Sequence, residues 1–416
     1  QPEVVKNLYD YQMATKGLLL NSTNKIKKAI LSSGDNELIN EYVAWLDKKE
    51  TLARYYSLSK EELTAQKIEL TSLEKEANDM ERSLSQRSGD FSKGYAAEKV
   101  SFTQIATVLT ETEAVVQLIR IRTFDKDFTA DSKYAALILT KGATVPKLVV
   151  LDNGNQLETR YAKFYRNAIQ QKSADQYSYD QFWARINPAL AGKKTLYISP
   201  DGVYNQISLN TLKKNDGPYL LNQYDLITVG NSKDILDLKS RKTVAGKKNA
   251  FLLGFPDYGG DAVAALPGTK VEIDNIVKIL KAGGYQTTSY LQKTATEAIL
   301  KSMKAPTIVH IATHGYFQPD VEQSAAGVNE ENVRSNPLLR SGLLLAGASP
   351  TLKGELLPNL ESNDNGVLTA YEAMNLDLEG TDLIILSACE TGLGDVRAGE
   401  GVYGLQRSFQ VAGAKA

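Results

Sequence analysis

Residues 383–394, Leu383-Ile384-Ile385-Leu386-Ser387-Ala388-Cys389-Glu390-Thr391-Gly392-Leu393-Gly394, hold an apolar run, then the only cysteine of the chain, then a glycine-rich turn. A short apolar run that ends in such a turn reads as a parallel strand that delivers a nucleophile at its end. A second stretch repeats the arrangement: Thr307-Ile308-Val309-His310-Ile311-Ala312-Thr313 reads as a buried strand, and His314-Gly315 follows it. In open α/β sheets ligands bind beyond the carboxyl ends of the strands, so two such ends on adjacent strands bring a thiol and an imidazole together. The fold class that follows is α/β, and the sharpest reading of the pair is a cysteine peptidase.

Working outward, Phe251-Leu252-Leu253 is a further strand, and Val271 to Leu280 puts Ile273, Ile276, Val277 and Leu280 on one helical face. Ala295 to Met303 is another helix, Gly342 to Ala346 a strand, and Thr369 to Met374 a short helix. This alternation predicts a mostly parallel sheet covered on both faces. The polar loops Gln318 to Asn336 and Gly347 to Gly366 fall beside the proposed site, where binding and gating segments lie. Upstream, Val115 to Arg122, Tyr134 to Leu139, Lys147 to Leu151, Thr195 to Ile198 and Asp225 to Val229 are β-rich, with helices around Glu158 to Ala168 and Tyr179 to Leu190. Lys239 to Lys248 is polar and basic and reads as a solvated linker. From Pro2 to about Ser92 the spacing is helical: Ser33-Gly34-Asp35 supplies a turn and Ser59-Lys60-Glu61-Glu62 a capping box. Lys67 to Ser85 reads as a solvated helix in preference to a coiled-coil arm.

At 416 residues the chain exceeds one ordinary core, and two or three domains are expected. Forty-eight basic against 49 acidic residues give no overall electrostatic reason to expect nucleic acid. One cysteine excludes an intrachain disulfide and, with two histidines, argues against cysteine-rich structural zinc. No apolar run approaches the roughly 20 residues that span a bilayer, and Gln1 to Lys6 lacks the order of a signal peptide. A soluble protein in a reducing compartment, the cytoplasm, is expected.

A thiol attacks a carbonyl as thiolate, and an adjacent imidazole is the usual means of forming it. His314 serves as acid and base for Cys389, and the backbone amides of Gly315 and Cys389 suit an oxyanion because no ladder partner is expected to claim them. This chemistry requires no metal or organic cofactor. No third catalytic residue is visible; Asp320 is merely near in sequence. Taken alone, Cys389 reads more readily as a buried structural thiol, but the glycine-rich segment after it is a poor environment for packing and a good active-site turn. His310, inside the apolar strand, reads as a satisfied core histidine. Ile311 stands where a zincin has glutamate after its first histidine. The G-x-G-x-x-G match at Gly399 to Gly404 lies about ten residues beyond its strand, too far for a dinucleotide fingerprint. No compact anion-cradling loop joins Cys389 to Arg397, which disfavours a cysteine phosphatase.

The runs Ile311-Ala312-Thr313-His314-Gly315, Leu368-Thr369-Ala370-Tyr371-Glu372 and Leu386-Ser387-Ala388-Cys389-Glu390-Thr391-Gly392 through Gly399-Glu400-Gly401-Val402 together resemble the CHAT domain, the caspase-like peptidase domain associated with tetratricopeptide repeats (TPR) in bacteria. The resemblance is strongest from about Ala250 onward and weaker from Val115 through Asp201-Gly202. It implies an α-helical, TPR-like region over residues 1–100, a degenerate caspase-like half over 101–248 and an active caspase-like half over 249–416, each half a sheet flanked by helices. It implies that His314 and Cys389 are the dyad of a clan of endopeptidases that includes caspases, gingipains and separase. Relatives cleave gasdermin-like pore formers or CRISPR-associated substrates in bacterial antiviral defence, so the implied partners are a protein substrate and a regulatory partner at the N-terminal helices.

Asp395 and Glu400 are candidates for lining the first specificity pocket. Ser387 stands where caspases have glutamine before Ala-Cys, so aspartate specificity does not transfer. The resemblance also expects a further strand and helices beyond Ala416. The competing readings are a non-catalytic signalling scaffold and another thiol-dependent hydrolase or acyl transferase; Cys389, His314 and Gly315 together at strand ends favour the peptidase.

Overall fold

The computed structural model describes residues 2–16, 27, 29–30, 33–56, 63–64, 67–87, 100–240, 248–317, 338–353, 364–389, 395–397 and 401–416. The chain forms two compact units, Gln1–Leu19, Ala96–Thr243 and Val396–Gly401 in the first, Leu20–Tyr95, Val244–Asp395 and Val402–Ala416 in the second. They cut across the helical stretch expected as one region over 1–100. The helix Pro2–Thr15 joins the first unit because its Tyr9 and Met13 are buried against Phe102, Ile105 and Val115. Among the described residues no helix is long and apolar enough to cross a membrane.

In the first unit, β1 (Glu113–Asp125), β2 (Asp127–Thr140), β3 (Lys147–Leu151), β4 (Thr195–Ser199) and β5 (Asp225–Thr228) form a mixed sheet in the order β3-β2-β1-β4-β5. Strand β1 runs antiparallel to β2 and parallel to β4. Because side chains alternate across a strand, Ala114, Val116 and Leu118 enter one core and Val115 and Ile119 the other. The strand positions agree with the β-rich runs in the sequence, but the expected linker does not begin at Lys239. Helix Asp234–Ser240 runs into it, and Lys239 holds Glu113 at 2.5 Å. Residues 241–247 lie outside the described residues.

In the second unit, β6 (Asn249–Pro256), β7 (Gln286–Gln292), β8 (Ile308–Ala312) and β12 (Leu383–Ser387) form a fully parallel sheet in the order β12-β8-β6-β7. Phe251 and Leu253 of β6 and Val309 and Ile311 of β8 pack into a core with Leu300, Ala370, Ala373, Leu405 and Phe409. On the opposite face, Ala250, Leu252 and Ala312 meet Ile273, with Ile276, Val277 and Leu280 of helix Pro267–Ala282 packed alongside. Burial on both faces is why β6 and β8 carry continuous apolar runs, whereas β12 is an edge strand whose Leu383 and Ile385 are exposed despite an equally apolar run. Strand β7, Gln-Thr-Thr-Ser-Tyr-Leu-Gln, is an edge strand with half-exposed side chains; Tyr290 packs on Phe251 of β6 with ring centroids 5.0 Å apart and Leu291 packs against the opposite core, while the polar residues between leave little apolar signature.

Gly342 to Ala346 leaves the parallel sheet instead of extending it. Strand β10 (Ser341–Leu344) is the centre of a separate antiparallel sheet, β11-β10-β9, with β9 (His314–Phe317) and β11 (Val367–Thr369). The stretch Lys67 to Ser85 is likewise no freely solvated helix. Helix Leu70–Arg87 lies against helix Asn36–Tyr56, burying Leu84 with Leu38 and Tyr42, and Arg87 pairs with Glu37 and Glu41. Gly34 makes the turn before it with φ 73°, and the Asp35 carboxylate accepts from the amides of Glu37 and Leu38, both at 3.0 Å. The capping box at Ser59 to Glu62 lies outside the described residues.

Candidate active site

The ladder between β8 and β12 starts with Ile308 opposite Leu383 and ends with Ala312 opposite Ser387. Thr313 N–H then donates to Ser387 O at 3.3 Å. His314 lies two residues past Ala312 and Cys389 two past Ser387, so both leave from one rung of neighbouring parallel strands, about 4.8 Å apart in a sheet. Cys389 is a free, exposed thiol, unlike the buried structural thiol that most free cysteines are. His314 is half-buried.

The imidazole is already oriented. His314 Nε2 lies 2.8 Å from the Ala264 carbonyl. A carbonyl only accepts, so Nε2 carries the hydrogen and Nδ1 keeps its lone pair in the neutral ring. The ring also lies against Tyr258, centroids 5.5 Å apart and planes tilted by 47°. Ala264 and Tyr258 belong to the loop that leaves the carboxyl end of β6, and neither was legible in the sequence as part of a site. A backbone carbonyl has no residue-type signature.

Gly315 lies inside β9, opposite Leu343, where the sequence suggested no ladder at all. Its amide is nevertheless unclaimed by β10. Leu345 N–H donates to Gly366 O at 2.7 Å, and alternate residues of a strand direct their backbone groups to opposite sides. Leu343 therefore faces β11, Leu344 faces His314, and the Gly315 N–H points to the side of β9 that has no strand partner among the described residues. Asp395 opens β13 (Asp395–Arg397), and Glu400 and Asp320 lie outside the described residues.

His310 is only half satisfied. Its Nε2 lies 2.9 Å from a Glu272 carboxylate oxygen, while its buried Nδ1 has no hydrogen-bond partner among the described residues. It faces helix Pro267–Ala282 through Glu272 and takes no part with His314. At the carboxyl ends of β6 and β7 a cavity of ≈ 450 Å³ is lined by Phe255, Tyr258, Val263, Leu291 and Lys293 among others. Phe255 and Gln292 beside it adopt left-handed backbone, φ 48° and 50°, a strain that clusters at ligand-facing positions.

A charge cluster lies near the end of β11, where Glu372 follows the strand. Lys301 Nζ lies 2.7 Å from Glu297, 3.2 Å from Glu372 and 3.5 Å from Glu50. Burial, reinforced by the Glu372 charge, pushes the Glu297 carboxyl up to about 8, against the pull of Lys301. Glu372, of the Leu-Thr-Ala-Tyr-Glu run, also closes a capping box: its Oε2 accepts from Thr369 N–H at 2.9 Å and Thr369 Oγ1 accepts from Glu372 N–H at 3.2 Å. That run therefore builds the frame around the site rather than the site itself. Glu50 accepts from the Asn375 amide at 2.7 Å, so helix Asn36–Tyr56 is joined to the same frame.

The family model for the CHAT domain, a caspase-like, peptidase-related family, matches residues 176–416, and no curated protein matches the chain. The match takes in both strand ends that carry His314 and Cys389 and covers more than half of the sequence: the chain belongs to the CHAT domain family.

Proposed function

We propose that this chain is a caspase-like cysteine endopeptidase working through Cys389 and His314. The observation that carries the reading is the shared rung: β8 and β12 are in a register that sends the imidazole and the exposed thiol out from equivalent positions. In the first step His314 Nδ1 takes the Sγ proton, and the thiolate adds to the peptide carbonyl while the π pair moves to oxygen. The amides of Gly315 and Cys389 donate to that oxyanion. The carbonyl re-forms as the C–N bond breaks, the leaving amine takes the proton from Nδ1, and an acyl-thioester remains on Cys389. Water then adds with His314 as base, the C–S bond breaks, and the thiol is restored with its proton from the imidazolium. The Ala264 carbonyl keeps the proton of Nε2 in place throughout, so the imidazolium meets a second acceptor as it forms.

The substrate in this reading is a protein segment lying extended across the carboxyl ends of the parallel strands, with Asp395 and Glu400 at its first specificity pocket. The N-terminal helices receive a regulatory partner. Incubating the protein and a Cys389→Ala version with a proteome, and mapping new N-termini by mass spectrometry, tests the reading. Cleavage at a recurrent sequence that disappears in the variant supports it. Cleavage that persists in the variant sinks the assignment of the nucleophile, and absence of cleavage with every candidate partner leaves the signalling-scaffold reading.

A further inference from the structure

We propose that Tyr258 is the positioning residue of His314, holding the imidazole with its ring and the backbone before it with its hydroxyl. The proposal rests on the dyad reading above. Beyond β6 the chain turns through Asp257-Tyr258-Gly259-Gly260, and this turn is fastened backbone to backbone. Gly347 N–H donates to Asp257 O at 3.0 Å and Ser349 N–H to Tyr258 O at 2.8 Å. Gly259 has φ 75°, the left-handed region that favours glycine, and a Cβ at Gly260 would stand 3.0 Å from Ser349 Cβ, a tight approach. Asp261 pairs with Lys353 at the surface. The Tyr258 backbone is thus anchored independently of His314.

Its side chain is 3% exposed and packs with Val263, Leu344, Ala348 and Val367. Thr313 gives its one hydroxyl hydrogen to Leu344 O, so at 2.9 Å it accepts from the Tyr258 hydroxyl. Thr313 is the residue between β8 and β9, where the chain passes from the parallel to the antiparallel sheet. One side chain therefore fixes that junction and lies against the ring that follows it. The ring limits rotation of the imidazole away from Ala264 and so keeps Nδ1 turned toward the thiol in the dyad reading.

The test uses the single cysteine and the two histidines of the chain. Alkylation of Cys389 by iodoacetamide is measured from about pH 5 to about pH 9, where only the thiolate reacts. The intact protein is compared with Tyr258→Leu, Tyr258→Phe and His314→Ala, and imidazole nitrogen NMR reads the tautomer of His314. The expected result is alkylation at neutral pH about tenfold slower in Tyr258→Leu and about threefold slower in Tyr258→Phe, as misplacement of a reacting group costs. The profile moves toward that of His314→Ala, with loss of the uniform Nε2–H tautomer in Tyr258→Leu. Folded Tyr258 variants with the profile and tautomer of the parent, beside a slowed His314→Ala, overturn the proposal and leave the dyad standing. A His314→Ala protein that alkylates like the parent removes the dyad reading itself. Should Tyr258→Leu not fold, Tyr258→Phe decides alone, and an unchanged profile overturns the proposal.

Discussion

A lysine surrounded by three carboxylates is an unusual centre for a frame, and Glu297 shows what it does to stability. Its side chain is fully buried, and burial with the neighbouring Glu372 charge raises its carboxyl from 4.5 to about 8. A native carboxyl raised in this way binds a proton between those values that the unfolded chain has released. Its contribution to stability is therefore complete below about pH 4.5 and is lost as pH rises through about 8. Glu50, also raised by burial, adds an effect of the same sign. Urea unfolding at a series of pH values should show stability falling across that window, by at most about 1.4 kcal/mol per pH unit for one proton, and Glu297→Gln should flatten the fall. A slope unchanged in the variant would show that other groups cause it. At the same scale, His314 and Cys389 were legible because strand ends carry strong local marks, an apolar run followed by glycine. The acceptor of His314 was not, since Ala264 contributes only its backbone.

Among elements, the hairpin of helices Asn36–Tyr56 and Leu70–Arg87 combines a local start signal with a distant partner. Asp35 satisfies two free amides of the first helix, and losing such a cap costs about 1 kcal/mol. Asp35→Ala should lower the urea midpoint of the second unit accordingly, while Cys389 alkylates at the parent rate. Loss of more than about 2 kcal/mol would mean that the turn at Gly34 had itself come apart. The turn and the helical spacing could be read from residues alone. The packing of Leu84 against Leu38 and Tyr42 could not, because a polar helix with one apolar stripe looks the same whether its partner is water or another helix. Strand β10 misled for a related reason: its Gly342-Leu343-Leu344 run suits either sheet, and the choice was made by pairing with β9 and β11.

For the whole molecule, the boundary of the family match and the boundaries of the compact units differ. The match begins at residue 176, inside the first unit, while strands β1 to β3 and helix Pro2–Thr15 complete that unit's sheet and core from outside it. Met13→Ala, at 1% exposure, should destabilise the first unit by about 2–5 kcal/mol, seen in calorimetry as a transition moved to lower temperature. Chemical modification at Cys389 should stay unchanged if that unit unfolds on its own, and a single shifted transition with altered reactivity would show that the two unfold together. By itself the sequence determined the α/β class and most strand positions, and it marked His314 and Cys389 as candidates at strand ends, because apolar runs and turn chemistry are properties of short contiguous segments. Tertiary structure decided which unit receives Tyr9 and Met13, which sheet receives β10, and which groups hold His314. Those outcomes depend on contacts between residues far apart in the chain, and on backbone atoms that every residue shares.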